Sequence, residues 1–225
     1  MLGVVCGLDR VDLEGQGENV DEHQPAERNY DLERLIFLSD GVFAIVITLL
    51  VIELHPPAEW DSTLGGLWRS EGQALVAYAV SFLAVGTYWN LHRRLFRRVT
   101  RFRGGLIFFN LLLLAFVVLV PFGARLILSG PIGEPFALFF GLLVLIGVAQ
   151  ALLWSFAAFV GDVVERSLSY KARLGFLANL LAAPLISGVL VVAILSKISL
   201  FWVLPICIAL GLARRFFANR FGLRI

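Results

Sequence analysis

The stretch that decides the fold is Arg34-Leu-Ile-Phe-Leu-Ser39-Asp40-Gly-Val-Phe-Ala-Ile45-Val-Ile-Thr48-Leu49-Leu-Val-Ile52-Glu53. Between Arg34 and Glu53 it carries a single charge, Asp40. It has the length of about 20 residues that a helix needs to cross about 30 Å of hydrocarbon. At about 100° per residue, Leu38, Gly41, Ile45, Leu49 and Ile52 fall within about 40° of one line, with Thr48 about 60° to its side. Ser39 and Asp40 project more than about 100° from that line. The helix therefore has two faces: an apolar stripe edged by one hydroxyl, and a polar pair behind it. A carboxylate buried in lipid costs several kcal/mol unless it is partnered, which marks Asp40 as a candidate functional group.

The rest of the chain agrees with a membrane setting. Of its 225 residues 59% are hydrophobic and 16% charged, and the mean hydropathy is +0.84. A soluble domain carries about 25% charged residues, so a water-facing surface cannot be covered here and a soluble enzyme is excluded. Two cysteines, Cys6 and Cys207, build no disulfide framework. Six apolar runs are expected to span the membrane as helices, at 35–54, 72–92, 105–128, 136–160, 174–195 and 199–217, because only helices satisfy the backbone of such runs in lipid. Pro184 and Pro205 fall inside the fifth and sixth spans and are expected to kink them. The fold class is all-α, polytopic. Residues 1–33 hold nine acidic residues and read as a disordered, solvated tail. Residues 34–217 form the membrane domain, and 218–225 a basic C-terminal end.

Lysines and arginines set the orientation. The segment after the second span, HRRLFRRVTRFR, holds six arginines, Arg93 to Arg103. Counting the loop after span four and both chain ends, 16 of the basic residues lie on one side; only Arg69, Arg125 and Lys197 lie on the other. Both termini are thus expected in the cytoplasm. The arginine run lies past the end of its span and lacks a voltage sensor's regular spacing. It reads as topogenic charge, with no nucleic-acid partner implied.

Depth brings further polar residues level with Asp40. Trp89 and His92 end the second span, and Asn110 begins the third. With Arg34 and Ser39 at the start of the first span, they are candidates for one buried polar network in the cytoplasmic third of the membrane, with Asp40 accepting from an indole, imidazole or amide N–H. Such a layer can clamp helices together or serve a proton-linked transporter through Asp40 and His92. A hydrolase built on Ser39, His92 and Asp40 is disfavoured, because neighbouring helical residues project about 100° apart and do not form a nucleophile–base line. No enzyme activity, cofactor or metal site is expected.

The stretch R-x-x-x-L-S-D-G-V-F-A-I-x-I-T-L-L (from Arg34) resembles the signature of the transmembrane protein 175 family of potassium channels, whose hallmark is R-x-x-x-F-S-D. The resemblance extends to Trp89-x-x-His92-x-Arg94-Leu95-Phe96, to Asn110-Leu-Leu-Leu-Leu and to Pro121-Phe122, covering about residues 34–122. Two positions depart from it. Leu38 replaces the motif phenylalanine, which is expected to alter packing behind a pore, and Arg93 stands where a second histidine is usual.

The resemblance implies a single six-helix repeat assembling as a homotetramer, with the first helix lining a central pore for K+ in contact with membrane lipid. Pore positions carry over onto Ile45, Thr48 or Leu49, and Ile52, with Ile45 the tightest ring. No T-V-G-Y-G sequence is present, so the expected restriction is a hydrophobic constriction that conducts when widened and wetted. Four Thr48 hydroxyls would face a partly dehydrated cation, four Glu53 carboxylates would concentrate cations at the outer mouth, and no metal is held beyond K+ in transit. Against this channel stand the proton-linked transporter and a non-conducting membrane scaffold. No second R-x-x-x-L-S-D-like segment marks the later spans, as an inverted-repeat carrier would require.

Overall fold

The computed structural model describes residues 23–52, 54–55, 61–128, 130 and 133–198, with side chains in the first helix from Tyr30 onward. The expected sixth span, Glu53, residues 1–22 and the basic C-terminal end lie outside the described residues. Helix α1 is His23–Ile52, α2 Leu64–Phe96, α3 Gly105–Val117, α4 Val120–Leu128, α5 Glu134–Ser155 and α6 Tyr170–Leu195. Among the described residues every regular element is a helix, and five helical segments are long and apolar enough to cross a membrane, α3 and α4 counting as one. The protein is an all-helical, multi-pass membrane protein.

Helix α1 begins at His23, so residues 23–33, assigned to the tail on composition, are helical. Its packed face is Leu32, Leu35, Ser39, Phe43, Val46 and Leu50, the three-and-four spacing of a helix stripe laid against a core.

Helix α2 starts eight residues before the apolar run that marks it in the sequence. Its start is set by capping rather than hydropathy. Thr63 Oγ1 accepts from the Gly66 N–H at 2.9 Å, and Asp61 Oδ1 accepts from both the backbone N–H and the hydroxyl of Thr63 at 2.9 and 2.7 Å. These bonds satisfy donors that a helix start leaves free. The Thr63 hydroxyl and N–H hold the Asp61 carboxyl below the ordinary carboxylate range.

The third span is broken at Val118–Leu119, just ahead of Pro121. Pro121 has no N–H to give the carbonyl four residues back, and its ring crowds that carbonyl. The Leu119 N–H turns to Phe116 O at 3.2 Å, and the helix resumes as α4. Pro184 stays inside α6. Its ring seats against Gly147 of α5, where a Cβ would stand 2.6 Å from the ring carbons. Glycine at 147 is thus a condition of the α5–α6 contact.

At its C-terminal end α5 widens into a π-helical turn, Phe156–Val160. The loop after α2 is tied to the loop after this turn: Val99 pairs antiparallel with Val164, Thr100 N–H donates to Val163 O at 2.8 Å, and Glu165 N–H to Arg98 O at 3.0 Å. Arg103 reaches Val160 O and Gly161 O at 3.3 Å, Arg101 reaches Asp162 O, and Arg173 binds Ala158 O and, at 2.9 Å, Asp162 Oδ1. A helix end leaves its last carbonyls without partners. Part of the arginine run read as topogenic therefore also closes the end of α5.

Helix α5 packs against α2, α3, α4 and α6, and buries Phe139, Leu143, Ile146, Gln150, Leu153 and Trp154. Gln150 Nε2 donates to Tyr88 O at 3.3 Å, and the Tyr88 hydroxyl to Leu143 O at 2.7 Å, fastening α2 to the centre of the bundle.

Candidate pore helix and its polar anchor

The stripe read from the sequence lies on the uncovered face of α1, which also carries Phe37, Ala44 and Val51. Leu38, Gly41, Ile45, Thr48, Leu49 and Ile52 are all exposed. Ile45 is 59% exposed, while Val46 beside it is 1% exposed. A β-branched residue left open next to one fully packed shows that the core has been aimed away from this line. Leu38 lies on the open stripe itself and not behind it. Thr48 gives its hydroxyl proton to Ile45 O at 2.8 Å. With the proton committed to the backbone, the oxygen lone pairs remain available on the exposed side.

Behind the stripe the polar residues divide into two groups. Ser39, Asn110 and His92 are buried and joined across three helices. Asn110 Nδ2 donates to Ser39 Oγ at 2.9 Å, and the Ser39 hydroxyl donates to Leu35 O at 2.8 Å within its own helix. His92 Nε2 lies 2.9 Å from Asn110 Oδ1. That oxygen can only accept, so this amide orientation places the imidazole proton on Nε2. The ring is held between Phe43 and Phe96, with centroids 5.6 and 4.6 Å away.

Asp40 belongs to the second group. It is partly buried, and its Oδ1 accepts from the Trp89 indole N–H at 2.8 Å. A face of that indole carries Arg93, whose guanidinium lies 5.1 Å from a ring centroid, a cation–π distance. The departure at Arg93 thus places a charge over Trp89 rather than a second imidazole beside His92. Asp40 and His92 have different partners and are not bonded to each other. Arg34, included with the network on the sequence, lies outside it: it is exposed and stacks over Tyr30 at 5.5 Å. Glu53 lies outside the described residues.

Sequence reasoning missed the Leu35 carbonyl, the two phenylalanines that clamp His92 and the Tyr88–Gln150 link. The run Leu32, Leu35, Ser39, Phe43, Val46, Leu50 was the signal for Leu35 and Phe43, and Phe96 stands one helical turn after His92. Nothing in the sequence pointed to the third. Among the described residues no cluster of three or more metal-ligating side chains occurs.

The motif-bearing part of the chain, residues 34–121, matches the family described as endosomal/lysosomal potassium channel TMEM175. A potassium channel of Chamaesiphon minutus is 34% identical over 150 residues, which are 62% of this chain and 70% of that relative. The chain belongs to this family. A potassium channel of Streptomyces collinus is 44% identical over 91 residues, 39% of this chain and 43% of the relative, so the chain spans less than half of that relative's length. The crystal structure of a lysosomal potassium-selective channel TMEM175 homolog from Chamaesiphon minutus superposes with a TM-score of 0.57 at 28% identity, covering 85% of this chain and all but a few residues (98%) of that one. The matched residues 34–121 contain α1 from Arg34, α2 and α3, and so every residue of the polar anchor.

Proposed function

We propose that the protein is a potassium-permeable channel, a homotetramer in a bacterial-type plasma membrane with both termini in the cytoplasm. In this reading four copies of α1 surround the pore, with Ile45 at the tightest ring and Thr48, Leu49 and Ile52 following it outward. The observation that carries the reading is the uncovered stripe of α1. It is a continuous apolar line about 21 Å long from Leu38 to Ile52, taking 1.5 Å per residue, and it lies in the segment that matches the family. The names of the two bacterial relatives and of the solved homolog, all potassium channels, support the choice of ion.

Conduction through such a line needs no carbonyl cage. A ring of isoleucines excludes water while narrow and admits hydrated or partly hydrated cations when the helices part. Thr48 adds four acceptor oxygens one turn beyond the ring, and Glu53 adds negative charge at the outer mouth, which raises the local cation concentration. The Ser39–Asn110–His92 chain and the Asp40–Trp89 bond hold the back of α1, so the stripe keeps its angle to the pore axis. A proton-linked transporter would use Asp40 and His92 as a relay, and their separate partners favour the anchoring role. Planar-bilayer recording of the purified protein tests the reading. A steady ohmic current whose reversal potential follows the potassium gradient is expected. Flux strictly coupled to protons, or no current, would overturn it.

A further inference from the structure

Conduction leaves one feature of the bundle unused. A groove of about 370 Å³ runs between the first half of α2, the end of α4 and the start of α5, lined by Trp68, Gly72, Val76, Ile127, Phe136 and Phe140. It lies at the end of the bundle that carries Arg69, Arg125 and Lys197, which the charge distribution assigns to the outside.

Its dimensions select the occupant. From Trp68 to Val80 the groove follows α2 for about 18 Å, and one leaflet of a bilayer core is about 15 Å deep. Spread over that length, the volume gives a cross-section of about 20 Å², far narrower than a helix about 10–12 Å across. A single hydrocarbon chain fits inside it, whereas a helix of a protein partner could only lie across its open side. Gly72 lies against the Trp68 indole, at a distance where a Cβ would make ordinary contact with the ring, 3.4 Å away. The one polar lining group, Gln73, spends an amide N–H on Ile127 O at 3.1 Å.

A charge stands next to the first residue that lines the groove, Trp68. Arg69 stands one turn before Gln73 and two before Val76, on the same face of α2. Its guanidinium makes a long 3.4 Å contact with Asp61, and its side chain is 78% exposed. An exposed guanidinium at headgroup level above an apolar slot one leaflet deep has the polarity profile of a phospholipid, since arginine binds phosphate oxygens through a two-pronged set of N–H donors. We propose that this groove is a binding site for one acyl chain of an outer-leaflet glycerophospholipid, with its phosphate held by Arg69.

The full-length protein is placed in nanodiscs containing phosphatidylglycerol with a diazirine at mid-chain, irradiated, and mapped by mass spectrometry. Adducts should concentrate on the peptides bearing Val76 and Phe140. Val76→Trp, which fills the slot, should abolish them. Arg69→Gln should reduce them by about five-fold, the worth of one arginine near an anionic headgroup, while leaving labelling by a phosphate-free galactosyl diacylglycerol probe unchanged. Labelling spread evenly over exposed Leu138 and Leu185 and indifferent to both substitutions would overturn the proposal in favour of ordinary bilayer contact. Absent groove labelling, with Val76→Trp dissociating the oligomer on sizing, would overturn it in favour of an interface between copies. Should Val76→Trp fail to fold, the Arg69→Gln comparison between the two probes decides alone.

Discussion

The membrane-crossing parts of α1 and α5 are comparably apolar, yet 28% of the most apolar stretch of the first is buried and 50% of the second. Hydropathy reports that both sit in the membrane; it does not report what each one meets there. Helix α5 is surrounded and uses glycine at 147 and an amide at Gln150 to accept its neighbours. Helix α1 is packed on one face only, and the polar groups on its packed side fix its rotation. A lipid-facing helix gains nothing from a defined rotation, whereas a pore helix depends on one.

Substitutions on the two helices should therefore separate stability from transport. The largest loss of folding is expected from Gly147→Leu, which drives a side chain into the Pro184 ring; overpacking of this kind costs about 3 kcal/mol or more when neither backbone can move. Fluorescence-detected sizing should show the monodisperse peak lost. Asn110→Ala comes next. It removes the acceptor of His92 and the donor to Ser39 together and leaves buried groups unpaired, for about 1–3 kcal/mol, read as a lower melting temperature in detergent. Replacing Asp40 by Asn keeps an acceptor for Trp89, so the effect should be below about 1 kcal/mol and appear chiefly as a less stable oligomer. Intact oligomers that no longer conduct would instead assign Asp40 to transport. The last substitution acts in the other direction, at Ser81, whose hydroxyl is buried without a partner among the described residues: Ser81→Ala should be neutral or slightly stabilising.

How much of this was legible in the sequence follows the same division. The α1 stripe and the depth of Ser39, Asp40, Trp89, His92 and Asn110 could be read, because helical periodicity and membrane topology are properties of the chain taken one segment at a time. Partner choice could not: Asp40 with Trp89 and His92 with Asn110 depend on how three helices are rotated against one another. Arg34 illustrates the limit, since its motif position is clear while its side chain turns to Tyr30 and away from the network. The early start of α2 was hidden by Gly65, Gly66, Arg69, Ser70 and Glu71, which dilute hydropathy without preventing a helix capped by Thr63. Likewise Arg101, Arg103 and Arg173 looked like topogenic charge because the carbonyls they close belong to a turn distant in sequence.

The central claim is that the open stripe of α1 is a water-excluding pore lining with Ile45 at its narrowest point. The most direct test is potassium flux into liposomes reconstituted with Ile45→Asn beside the unaltered protein. Because Ile45 is exposed in the protomer, the substitution should leave protomer folding within about 0.5 kcal/mol while raising flux or relaxing potassium-over-sodium preference, since an amide ring wets where an isoleucine ring does not. Unchanged flux and unchanged preference in a properly assembled variant would contradict the assignment.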